Sequence, residues 1–89
     1  MRIVLTIVGK DKVGIIANVS RILAENKVNI LNINQNIMEG FFNMVLIADM
    51  DGAAVDLATL KGKFDELSRQ IGVEIRVQSE AIFAAMHRI

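Results

Sequence analysis

The 89-residue chain has no cysteine, no proline, one histidine and only 4% aromatic residues. Without cysteine there is no disulfide framework, no thiol nucleophile and no thiolate metal site, and a metal-delivering domain built on a Cys-x-x-Cys pair is excluded. His87 has neither a nearby carboxylate nor a second ligand, so no metal is expected and the residue reads as exposed or packing. Ten Lys and Arg balance ten Asp and Glu. A net charge of zero favours no polyanion, so nucleic acid and anionic membrane are not expected as partners. Phe41 and Phe42 lack the basic surroundings of base-stacking residues and read as packing. No apolar run approaches the ~20 residues of a membrane helix. Residues 3–8 are too short for a signal peptide and lack a small-residue cleavage site, so the expected compartment is the cytoplasm.

Apolar material, by contrast, is in excess. Hydrophobic residues make up 53% of the chain, and counting glycine brings the figure to about 60%, against roughly 45–50% for an average domain. That composition excludes disorder. With no repeat, charge run or linker, residues 1–89 read as a single domain. A domain this small buries only about 60–65% of its unfolded surface, so this much apolar surface is hard to hide in a monomer.

The pattern divides the chain into alternating elements. Residues 3–8 are β-branched and apolar on both faces, as in a central strand. From Val13 the period changes: Ile15, Ile16, Val19, Ile22 and Leu23 form one helical stripe, with Asp11 placed to cap it and Asn26 and Lys27 ending it. Residues 28–38 alternate Leu31, Ile33 and Ile37 with Asn32, Asn34 and Asn36, an edge strand with one wet face. After a turn at Glu39 and Gly40, residues 42–50 form a second central strand and complete a hairpin. Leu57, Leu60, Phe64, Leu67 and Ile71 mark an amphipathic helix that Gly72 ends. Gly62 within it has no sequence rationale and costs ~1 kcal/mol against alanine. Val73, Ile75 and Val77 give a fourth strand, and Ile82, Phe83, Met86 and Ile89 a short tail helix starting at Ser79 and Glu80.

This order, β-α-β-β-α-β plus a tail, specifies an α+β, ferredoxin-like sandwich with a short C-terminal helix and a sheet in the order 4-1-3-2. Two helices cover one sheet face, yet both central strands are apolar on both faces. Either a second copy covers the other face, making the chain a homo-oligomer, or the tail folds over it. The five methionines read as core and interface filler.

Few residues carry chemistry. The stretch Gly9-Lys10-Asp11-Lys12-Val13-Gly14 joins a strand to a helix N-terminus, where free amides and the helix dipole suit a carboxylate or phosphate. Gly14 would admit a ligand close to the first turn. An ordinary capped turn explains the same residues. The loop has no Gly-Lys-Ser/Thr ending, so it is not a Walker loop, and it has no arginine for acylphosphatase-like hydrolysis. Asn29 and Asn32 offer amide donors and acceptors suited to an amino acid, or simply a solvated edge. No catalytic residue, and so no enzyme activity, is expected.

Val8-Gly9-Lys10-Asp11-Lys12-Val13-Gly14-Ile15-Ile16-Ala17-Asn18-Val19-Ser20, followed by Leu23-Ala24-Glu25-Asn26-Lys27-Val28-Asn29-Ile30, resembles the ACT-domain signature: strand, Asp-x-x-Gly-Ile, Val-Ala-x-Val-Ser, then Asn-Ile at the second strand. It looks closest to the small stand-alone ACT proteins of prokaryotes, and it also resembles the N-terminal ACT segment of formyltetrahydrofolate deformylase and the glycine-cleavage repressor family. The resemblance implies a regulatory module, foremost a homodimer, that binds an amino acid or similar small molecule and needs no cofactor. The ligand would lie between the loop after the first strand and the second strand of a neighbouring subunit. Asp11 and Gly14 match the loop positions, and Asn29 and Ile30 the strand positions. Asn32 is added from its amide chemistry alone. The alternative is a structural oligomerisation module with no ligand.

Overall fold

In the computed structural model, which describes residues 1–10 and 13–86, the elements follow the expected order: β1 (Arg2–Lys10), α1 (Ile15–Glu25), β2 (Asn29–Met38), β3 (Phe41–Asp49), α2 (Leu57–Ile71), β4 (Glu74–Ser79) and α3 (Glu80–Met86). The sheet runs β2-β3-β1-β4 with every neighbouring pair antiparallel. This is the ferredoxin-like order read from the sequence.

Cross-strand partners share a face, so the register sorts the side chains. On the helix-covered face Ile3, Leu5 and Ile7 of β1 meet Ala48, Leu46 and Met44 of β3 and lie beside Ile75 and Val77 of β4. All are buried, and Val19, Leu23, Leu60, Phe64 and Leu67 close the core from the helices. Each of these side chains larger than alanine contributes roughly 1.5–3 kcal/mol by leaving water.

Helix α1 starts later than the sequence suggests. Its N-cap residue is Gly14, whose φ of 91° no helical residue adopts and which has no side chain to cap with. Val13, read as the start of the helix, is instead fully exposed. The first turn is fastened by the Asn18 side-chain amide, which donates to the Gly14 carbonyl at 2.8 Å. Asp11, assigned the cap from sequence, lies outside the described residues. At the other end, buried Asn26 donates to the Ile22 carbonyl at 2.7 Å and accepts from the Ala54 backbone N–H at 2.9 Å, tying α1 to the loop before α2. Helix α2 is capped by Asp56, which accepts from the Thr59 backbone N–H at 2.8 Å, and ends at Gly72 in a left-handed turn. Gly62 has open space where a Cβ would stand.

The second sheet face is half covered. Helix α3 starts where Ser79 Oγ accepts from the Ile82 N–H at 3.2 Å, and it contacts β1 and β4. Gln78 and Val4 are cross-strand partners on this face; Gln78 donates to the Met86 sulfur, and Val4 is buried. Val8 and Val45, farther along the same face, stay exposed, as do Ile82 and Met86. Residues 80–86 of the tail leave Val8 and Val45 uncovered; Ile89 and His87 lie outside the described residues.

Strand β2 corrects the expectation of one wet face. It is the edge strand, but both of its faces are exposed, and only Ile30 packs partly on the core. Ile33 and Ile37 pair with the buried Leu46 and Phe42, so they project to the helix side, where they remain 41% and 54% exposed. Two helices over four strands leave the edge uncovered.

Candidate functional site

A groove of about 220 Å³ runs between the first turn of α1, with Gly14, Ile15, Ile16 and Ala17, and the hairpin residues Gln35, Ile37 and Phe42. Its wall is a helix N-terminus, where the first backbone N–H groups lack helical partners and the dipole is positive. No acidic residue occupies that first turn. Its floor is apolar except for the Gln35 amide, and none of its lining residues among those described ionises. Such a surface can bind a small ligand with an anionic or polar group toward the amides. Among the described residues, no three of His, Cys, Asp and Glu converge to hold a metal ion.

The residues singled out from sequence divide between the two ends of the sheet. Gly14 follows the end of β1, beside Lys10, whose cross-strand partner is Phe41 and, beyond it, Met38. Asn29 pairs with Asp49, which pairs with Arg2 at the start of β1. Strands β1 and β2 therefore run the same way, and the ten residues of β2 put about 30 Å between Asn29 and Met38. A single chain does not bring Asn29, Ile30 and Asn32 to Gly14. Asn29 is exposed, Ile30 is half-buried beside Ala48, and Asn32 projects to the opposite face beside Ile47.

The residues that do share the groove with Gly14, namely Gln35, Ile37 and Phe42, were not picked out from sequence. The signal for them was the topology: counting register through β3 from the order 4-1-3-2 places the end of β2, not its start, beside the loop.

A larger groove of about 470 Å³ lies between α1 and α2. Of the charged side chains in its walls, Arg21 pairs with Glu25 at 3.2 Å and Glu66 with Arg69 at 2.6 Å, each along its own helix, and Lys63 stands beside them. Exposed pairs of this kind contribute little, and nothing there converges on a ligand.

Residues 1–78 match the model of the ACT domain. A UPF0237 protein of Clostridium perfringens is 53% identical over 100% of both chains. Among solved structures, an ACT domain protein from Streptococcus pneumoniae superposes with a TM-score of 0.80 at 37% identity, covering 93% of each chain. A formyltetrahydrofolate deformylase from Pseudomonas syringae matches with a TM-score of 0.80 at 27% identity, over 88% of this chain but 27% of its own. Fold, register and sequence thus agree, and the chain belongs to the ACT domain family.

Proposed function

We propose that the chain is a regulatory module that binds a small molecule, an amino acid or a close relative, as a homo-oligomer. The ligand is held between the loop after β1, at Asp11 and Gly14, and β2 of a neighbouring subunit, at Asn29, Ile30 and Asn32. One observation supports this reading: the Gly14 groove and the start of β2 lie at opposite ends of one chain's sheet. The groove offers helix-terminal amides and an apolar floor, while the amide-bearing residues that would complete recognition stand on an uncovered edge strand at the far end of the same sheet. Only a second chain can bring the two together.

A thermal-shift screen of the native chain against the amino acids tests it. A ligand present at a hundred times its Kd stabilises by about 2.7 kcal/mol, so at least one amino acid should raise Tm in a concentration-dependent way. Gly14→Leu, which fills the approach to the first turn, should abolish that rise. If no amino acid shifts Tm in the native chain, the ligand reading fails. The exposed apolar residues of β2 favour a second reading, an oligomerisation module without ligand, and that reading predicts no shift but an oligomer all the same.

A further inference from the structure

We infer that the outer edge of β4 receives an extended segment of a partner protein as an added strand, antiparallel to β4, with an acidic residue followed two positions later by a basic one. The inference goes beyond the ligand reading and does not depend on it.

Three observations carry it. First, β4 is the other margin of the sheet: among the described residues it pairs with β1 alone, so one side of its backbone has no strand beside it. An open strand edge takes up an extended peptide through main-chain hydrogen bonds, and the flanking side chains select its sequence. Second, a groove of about 270 Å³ follows this edge, lined by the consecutive residues Ile75, Arg76, Val77 and Gln78 and flanked by Lys61 and Asp65 of α2. A groove lined by four successive strand residues runs along the strand, which suits a chain lying extended beside it. Third, Lys61 and Asp65 are exposed, and among the described residues neither belongs to an ion pair. Each leaves its charge open to an incoming group.

Charge also argues against a second copy as the occupant. Strand β4 carries Glu74 and Arg76, the kind of residue that keeps an edge from pairing with its own copy, whereas the ten residues of β2 include no charge. A foreign segment of matching charge fits the groove.

The fold sets the order of those charges. Helix α2 ends at Ile71, the chain turns at Gly72, and the Ser68 hydroxyl donates to the Val73 carbonyl, so α2 and β4 run in opposite directions. Asp65 therefore stands nearer the start of β4 and Lys61 nearer its end. Four helical residues rise about 6 Å, close to the roughly 6.8 Å between alternate residues of a strand. Side chains two apart on the added strand thus reach both groups. Every pairing already in the sheet is antiparallel, and an antiparallel newcomer passes Lys61 before Asp65. Its acid must precede its base.

Two capped, fluorescently labelled seven-residue threonine peptides test this, with Glu and Lys at the third and fifth positions in that order in one and exchanged in the other. In fluorescence-polarisation titrations of the native chain, the Glu-then-Lys peptide should bind about fivefold more tightly, the size expected of weak exposed ion pairs. It should also slow amide hydrogen exchange in residues 74–79 and leave β2 unchanged. Exchanging the protein's charges, Lys61→Glu together with Asp65→Lys, should reverse the preference, and because both side chains are exposed Tm should change little. Failure of both peptides to bind at millimolar concentration would overturn the inference, as would protection along β2 instead of β4. Equal affinities for the two peptides, unaltered by the charge exchange, would overturn the charge order. A smaller particle for Lys61→Glu than for the native chain in light scattering would assign the edge to a second copy and overturn the partner segment. None of these outcomes bears on whether an amino acid raises Tm.

Discussion

Strands β2 and β3 are the two arms of one hairpin, of nearly equal length and both rich in apolar residues, yet their fates are opposite. Alternate residues of β3 are buried from Phe42 to Ala48, whereas no residue of β2 is fully buried. Ile33 and Leu46 make the contrast sharpest, since they are cross-strand partners on the same face: Leu46 has no exposed surface and Ile33 is 41% exposed. The difference is one of position. The crossover after β3 carries α2 and β4 to the far side of β1, so β3 is enclosed and β2 is left at the margin. Alternation specifies which face a side chain takes, and only the strand's place in the sheet specifies whether that face is dry.

The comparison can be broken by truncating each arm in turn. Leu46→Ala should cost about 2–5 kcal/mol, the range for a buried leucine whose cavity does not collapse, enough to unfold much of a small domain. Ile33→Ala should cost under about 1 kcal/mol in folding, measured by denaturant at high dilution, and should act mainly on self-association. Comparable losses at the two positions would show that β2 is buried within the monomer after all.

Crowding sharpens the same contrast. A Cβ on Gly9, in central β1, would stand 2.8 Å from Val73 Cγ1 and 3.2 Å from its backbone Cα. Gly9→Ala should destabilise by about 1–3 kcal/mol, as overpacking does, while Asn34→Ala on the exposed edge should stay within about 0.5 kcal/mol. Urea titrations of the two variants at equal dilution would separate these outcomes. Open space reverses the sign: nothing approaches a Cβ at Gly62 in α2, so Gly62→Ala should stabilise by about 1 kcal/mol and raise Tm.

The smallest effect is pH-dependent. Hydrogen bonding from Thr59, by its side chain and then its backbone N–H, lowers the pKa of Asp56. The unfolded chain then binds this proton at higher pH than the folded one, so the cap stabilises fully above the ordinary aspartate pKa of about 3.9 and its contribution is lost as pH falls through the lowered folded value. Asp56→Ala should lower Tm at neutral pH, and the gap to the native chain should narrow in acid. A gap independent of pH would show that the carboxylate charge is not what caps α2.

Much of the fold was legible because its signals are local. The period-2 run from Ile3 to Val8, the 3-4 spacing from Leu57 to Ile71 and the terminating Gly72 each report on a few neighbouring residues, and the structure follows them to within a residue or two. The start of α1 falls after Val13, where the apolar period changes, because Gly14 turns left-handed there, a backbone state that hydrophobic spacing does not encode. In the candidate site, Gly14 was legible from its place between strand and helix. Gln35 and Ile37 were not, because their nearness to Gly14 depends on the direction of β2 across an intervening strand.

By itself, then, the sequence determined the elements, their order and the strand arrangement that their chirality permits, since these follow from periodicity, turn residues and short connections. Only the tertiary structure decided which apolar residues stay wet. The two helices bury the central strands but leave most of β2 exposed, and α3 packs on β1 and β4 while Val8 and Val45 stay exposed. Burial is set by the reach of one element over another, a distance in space that no spacing along the chain records.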